Sequence, residues 1–168
     1  MAENKDYCLL SIGQPQGPGC FCPSNTLLRK VIESISKDFD VILIDCEAGI
    51  EQISRMVIKT VDILLIITDI SVRSVNTADS IRNCAKKFSD YKKLGVVVNK
   101  VKGNIENILK ILKEMDLQVF AEIPNDENVI KFDLKGDPIV DIPENSPSLL
   151  AIKKLAKKIL NQNAVPNS

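Results

Sequence analysis

Two thiols stand one residue apart in Gly19-Cys20-Phe21-Cys22-Pro23, and that spacing is the sharpest chemical signal in the sequence. On an extended backbone, side chains at i and i+2 project to the same side, so Cys20 and Cys22 can share one soft or borderline metal ion. Two ligands do not complete a four-coordinate site, and the chain has no histidine to add. The simplest completion is the same pair from a twofold-related copy, which gives an all-thiolate site across a homodimer. The competing reading is a pair of buried or redox-labile thiols on a loop.

Carboxylates and amides mark three other places. The apolar run Val41 to Ile44 ends in Asp45, followed by Cys46, Glu47, Ala48 and Gly49. A carboxylate at a strand end suits a magnesium ion held through water, and a glycine four positions on lets the backbone approach a terminal phosphate. Asp45 would equally serve as a turn former or cap ahead of Ile50. Further along, Val96 to Val98 runs into Asn99 and Lys100, and a later extended stretch runs into Pro124, Asn125 and Asp126. An asparagine amide both donates and accepts, as recognition of an adenine edge requires. The same residue types are also the usual turn formers. The glycines, Gly13, Gly17, Gly19, Gly49, Gly95, Gly103 and Gly136, form no G-x-x-x-x-G-K-[ST] or G-K-G-G phosphate loop.

Composition removes whole classes of function. The absence of histidine excludes Ser-His-Asp triads, Cys-His pairs and His-ligated zinc within these residues. Basic and acidic residues balance at 22 each, aromatics make up 4% and tryptophan is absent, so neither a field nor stacking platforms favour nucleic acid. No apolar stretch approaches the roughly 20 residues that span a bilayer. The terminal Leu149 to Leu160 segment, with Lys153, Lys154, Lys157 and Lys158 opposite its apolar stripe, reads as a helix covering a sheet rather than a membrane anchor. Five cysteines, an odd number, and a polar opening Met1 to Asp6 lead to the expectation of a cytoplasmic protein with free or metal-bound thiols.

These candidates need a scaffold, and the periodicity supplies one. Val41 to Ile44, Ile63 to Thr68 and Gly95 to Val98 are apolar on consecutive positions, which predicts strands buried on both faces. Helical stripes lie between and after them. Leu27, Leu28, Val31, Ile32 and Ile35 follow Ser24 and Asn25 as possible caps, and Val75, Ala78, Ile81, Ala85 and Phe88 form a second stripe. Asn104 precedes Ile105, Ile108, Leu109 and Leu112, and Ser146-Pro147 opens the last stripe. Alternating elements of this kind predict an α/β domain with a mostly parallel sheet and helices on both faces. Gly13 to Pro23 reads as a loop. In such sheets ligands gather beyond the carboxyl ends of the strands, where Asp45, Asn99 and Asn125 fall.

Taken in order, the Cys-x-Cys segment, the Asp38-Phe39-Asp40 lead into Val-Ile-Leu-Ile-Asp-Cys-Glu-Ala-Gly, the strand ending in Asn99-Lys100 and the Ile-Pro-Asn-Asp segment resemble a known group. It is that of the CooC-type nickel-insertion accessory ATPases of carbon monoxide dehydrogenase. They belong to the deviant Walker A proteins that include MinD, ParA and the nitrogenase iron protein. The resemblance runs from about Tyr7 to Leu160 and implies a P-loop NTPase-like fold, with one partial domain over residues 1–161 and a flexible tail over 162–168. It implies that Cys20 and Cys22 bind nickel or zinc across a dimer and that Asp45, with Gly49, neighbours magnesium and switch II. Asp45 and Glu47 become the catalytic candidates, Glu47 linking switch II to the dimer interface. Asn99, Lys100, Pro124, Asn125 and Asp126 would line the pocket for ATP or ADP. Apo carbon monoxide dehydrogenase or a related metalloenzyme would be the client. Members of the group begin with a strand and a lysine-bearing phosphate loop that these residues do not contain. Phosphoryl transfer depends on that loop for positioning and charge, so no competent ATPase activity is expected of this chain alone. The alternative is a non-catalytic, MinD-like module that docks a partner ATPase or enzyme.

Overall fold

Val96, Val97 and Val98 are buried on successive, opposite-facing positions, so the strand that carries them needs cover on both sides. The computed structural model describes residues 2–3, 7–11, 22–46 and 60–163. In chain order these form β1 (Ala2–Glu3) and β2 (Cys8–Leu9), a small antiparallel pair, and α1 (Cys22–Ile35), which ends in a 3-10 turn over Ser36–Asp38. The main unit follows: β3 (Thr60–Thr68), α2 (Val72–Phe88), β4 (Asp90–Val101), α3 (Glu106–Glu114) and β5 (Val119–Pro124). It closes with α4 (Glu127–Lys135), a 3-10 turn at Ile139–Asp141 and α5 (Pro147–Asn163).

The sheet is parallel and ordered β3-β4-β5, with Leu65 beside Gly95, Ile66 beside Val96 and Val97 beside Ala121. One face carries the core: Ile66, Val96 and Val98 meet Val75 and Ala78 of α2, Ile108 and Leu112 of α3, and the flanking Ile105 and Leu117. Arg82 of α2 pairs with Asp79 at 2.6 Å and donates to the Met115 carbonyl at the end of α3, which ties the two helices together. The other face is covered at β5 by α5. There the Phe120 ring lies over Gly95, and Lys158 Nζ sits 5.0 Å from the ring centroid while donating to the Phe120 carbonyl at 3.1 Å. A side chain at position 95 would occupy the space of that ring, so the glycine is needed for the close approach.

The expected elements form with two corrections. Val41 to Ile44 is not a strand: residues 41–46 carry no regular structure, and Leu43 is 89% exposed. A parallel strand exists only as part of a ladder, and no described strand pairs with this run, so its β-branched composition alone does not order it. Burial on both faces holds for β4 but not for β3, where Ile66 is 2% exposed and its neighbour Ile67 58%. Helix ends differ in smaller ways. Helix α1 begins at Cys22, so Ser24 and Asn25 fall within its first turn, and α5 continues through Asn163, past residue 161. Pro147 opens α5 as expected, and Asn104 Oδ1 accepts from Glu106 N at 2.8 Å where α3 starts. No described helix is long and apolar enough to cross a membrane.

Candidate functional site

Parallel strands bring their carboxyl ends to one edge, and three candidate loops meet there. At the end of β3, the Thr68 hydroxyl is within 2.9 Å of Ser74 Oγ, and Asp69 Oδ1 accepts from Ser71 N at 2.7 Å. Ser71 in turn caps α2 by accepting from Ser74 N. These hydrogen bonds from Ser71 hold the Asp69 carboxyl below the usual aspartate range, and the charge of Lys100 adds to the effect.

At the end of β4, Asn99 Oδ1 accepts from Lys100 N at 2.9 Å, and Lys100 takes a left-handed backbone with φ 54. The pairing with β5 shifts register between Val98 and Val101, so Asn99 and Lys100 form a bulge that lifts out of the ladder. A left-handed backbone costs an L-residue about 1–2 kcal/mol, and glycine regains most of that at some entropic cost. Lys100→Gly is therefore expected to raise the unfolding free energy by about 0.5–1 kcal/mol, and Lys100→Val to lower it. Urea denaturation of the two variants checks this.

The end of β5 is more elaborate. Asn125 N donates to the Val101 carbonyl at 2.8 Å, so the ends of β4 and β5 are joined directly above the bulge. Asp126, 6% exposed, caps α4 by accepting from Asn128 N at 2.9 Å. Its second oxygen accepts from Ser146 Oγ, from Ser148 N at 2.9 Å and from Ser148 Oγ at 2.8 Å. Those donors, Ser146 first, hold the carboxyl far below its ordinary value against the desolvation that opposes them. Two helix N-termini converge on this one anion, since α5 begins at Pro147.

The structure thus brings Asn99, Lys100, Pro124, Asn125 and Asp126 to one edge. Asn125 and Lys100 are exposed there, Asn99 and Pro124 half-buried, and Asp126 has its carboxylate occupied by its own chain. Asp45 is exposed in the irregular 41–46 segment. The thiol of Cys46 beside it is pushed up by local desolvation and then by the Asp45 charge, so it is no activated nucleophile. Cys20, Glu47 and Gly49 lie outside the described residues, as does the side chain of Cys22. Among the described residues no group of three or more cysteines and carboxylates is arranged to hold a metal ion. Asp69, Ser74 and Ser148 carry no role in the sequence pattern, and Ser146 reads there only as a helix start. The Asp69-Ile70-Ser71 turn had a local signal, an aspartate two residues before a serine, whereas the link from Asp126 to Ser146 and Ser148 spans some twenty residues and has none.

A model of the 4Fe-4S iron sulfur cluster binding proteins, NifH/frxC family, matches residues 7–168. An uncharacterized ATP-binding protein of Methanocaldococcus jannaschii is 37% identical over 164 residues, which cover 96% of this chain and 65% of the relative. The carbon monoxide dehydrogenase accessory protein CooC of Rhodospirillum rubrum is 30% identical over 127 residues, covering 75% of this chain and 48% of that protein. The chain thus spans about half to two thirds of the length of these curated relatives. Among solved structures, the MinD cell division protein of Aquifex aeolicus superposes with a TM-score of 0.66 at 24% identity over 86% of this chain and 63% of that one. The α/β architecture, a parallel sheet flanked by helices, is that of the MinD and ParA P-loop NTPase structures.

Proposed function

The chain belongs to the NifH/frxC family of 4Fe-4S iron sulfur cluster binding proteins, and from that premise we propose that it is a metal-cluster maturation factor resembling the CooC type. It carries a thiolate-bound metal between two copies of itself and senses an adenine nucleotide at the carboxyl edge of the sheet. The observation that carries the nucleotide half is the direct Asn125 N to Val101 O bond, which sets Asn125 and Pro124 beside the Asn99-Lys100 bulge. Two amide side chains, with the Asn99 oxygen already accepting from Lys100 N, then stand at the place where a parallel sheet takes a ligand. Phosphoryl transfer requires a phosphate loop, and none occurs in these 168 residues, so the chain by itself binds nucleotide without hydrolysing it. In a complete site Asp45 would stand near magnesium, and Glu47 and Gly49 near the switch that couples nucleotide to the dimer.

Cys20 and Cys22 would hold the metal. A thiolate pair from each of two chains suits zinc or nickel, and equally an iron-sulfur cluster of the kind the family is named for. The name of the Rhodospirillum rubrum relative supports an apo metalloenzyme such as carbon monoxide dehydrogenase as client. The test is metal content together with molar mass on reduced protein offered nickel, zinc or iron with sulfide, for wild type and a Cys20→Ser, Cys22→Ser double variant. About one metal ion or cluster per two chains is expected in the wild type and none in the variant. A metal-free protein of the same mass in both forms overturns the metal half.

A second reading has its own support. Among the described residues β3 has a ladder partner on one edge only, and Ile67 on its open face and the nearby-in-sequence Val41 to Leu43 run are exposed. That pattern favours a docking module for a partner ATPase or enzyme, and a metal-free outcome would leave it as the better account.

A further inference from the structure

We propose that Asp126 is a positioning residue for the base pocket: through Ser146 and Ser148 it clamps the start of α5 to the end of β5 and so holds Asn125 in place for the ligand. This rests on the reading that the chain binds an adenine nucleotide. The residue types around position 126 suggested direct contact with the ligand, but the geometry argues otherwise. An ionised carboxylate offers about four lone-pair sites. Here Oδ2 accepts from three donors of the same chain, Ser146 Oγ, Ser148 N and Ser148 Oγ, and Oδ1 accepts from Asn128 N at the start of α4. Oδ2 is thus fully taken up by its own chain, and the residue is only 6% exposed, so the carboxylate serves the clamp rather than a ligand.

What the clamp controls is its neighbour. Asn125 is held on one side by its backbone bond to the Val101 carbonyl and on the other by the fixed Asp126. Val101 ends the bulge that presents Asn99 and Lys100. The chain before Ser146 is drawn in as well, because Ser146 N donates to the Pro143 carbonyl at 2.9 Å and Ile142 is buried. Two strand ends, the 142–146 loop and the first turn of α5 therefore form one block. Loosening the serines frees Asn125 without touching any group that meets the ligand.

The test uses the full chain and the fluorescent N-methylanthraniloyl derivative of ADP with magnesium. A Ser146→Ala, Ser148→Ala double variant is expected to bind about tenfold more weakly than wild type. Ser146→Thr, which keeps the hydroxyl, is expected to retain most of the affinity that a single Ser146→Ala change loses. An Ile108→Val variant, in the core away from this edge, controls for stability, and its affinity is expected to stay at the wild-type value even where its melting temperature falls as far. Equal affinity of the serine variants and wild type overturns the positioning role and leaves the proposed function standing. An equal loss in Ile108→Val overturns it too, since the effect would then follow stability alone. A wild type that binds no nucleotide overturns the nucleotide reading and this inference with it.

Discussion

Asp126→Ala is expected to lower the unfolding free energy by about 3–5 kcal/mol at neutral pH, enough to leave a domain of this size marginal. The reason is the asymmetry of buried hydrogen bonding. Each bond to an ionised group contributes about 1.5–3 kcal/mol, and removing the shared acceptor strands Asn128 N, Ser146 Oγ and both donors of Ser148 at once. Asp126→Asn is expected to cost less, since one amide oxygen still accepts, but its NH2 group must face donors. The carboxyl pKa is depressed in the folded state, chiefly by Ser146, so the charge-dependent stabilisation is fully present above the unfolded value of about 3.9. It is lost as pH falls below that value toward the folded one. Urea melts at a series of pH values should show a wild-type advantage over Asp126→Asn that is flat above about pH 5 and shrinks steadily below about pH 4. An advantage that instead grows in acid would mean that the carboxylate is not the stabilising species.

Gly95→Ala is expected to destabilise by about 2–3 kcal/mol although alanine has the better intrinsic propensity. The added methyl would overlap the Phe120 ring, which is itself held from the far side by Lys158 and the body of α5. Relief requires the ring to move, and a buried strand gives it little room. Phe120→Leu is expected to cost stability in the wild type yet to recover part of the loss in the Gly95→Ala background. A double-mutant cycle with a coupling of about 1 kcal/mol or more is the result to look for, and strict additivity would show that the glycine serves some other purpose.

The parts of this fold that were legible in the sequence are those where local and tertiary preferences agree. The valines at 96 to 98 could only be a strand between two layers, and the Val75, Ala78 and Ala85 stripe could only face a core. Pro147 announced a helix start because proline loses nothing at that position. Val41 to Ile44 shows the limit. An apolar run states that a segment suits a sheet, but the partner that makes it a strand lies elsewhere in the chain or beyond it. The site divides along the same line. Asn99 and Asn125 stood out because strand ends are where ligands gather, and the structure does bring them to one edge. The true employment of Asp126 did not, because a carboxylate two residues past a strand looks the same in sequence whether a ligand or two distant serines will occupy it.

The strands of the sheet also lie side by side in the order in which they occur in the chain, each separated from the next by one helix. Among the described residues, each pairing in β3-β4-β5 joins strands that follow one another in the chain, so each closes a loop of modest length and the entropic cost of closure rises in small steps. The strand order is therefore compatible with assembly as the chain is made, each strand after β3 finding its neighbour already present.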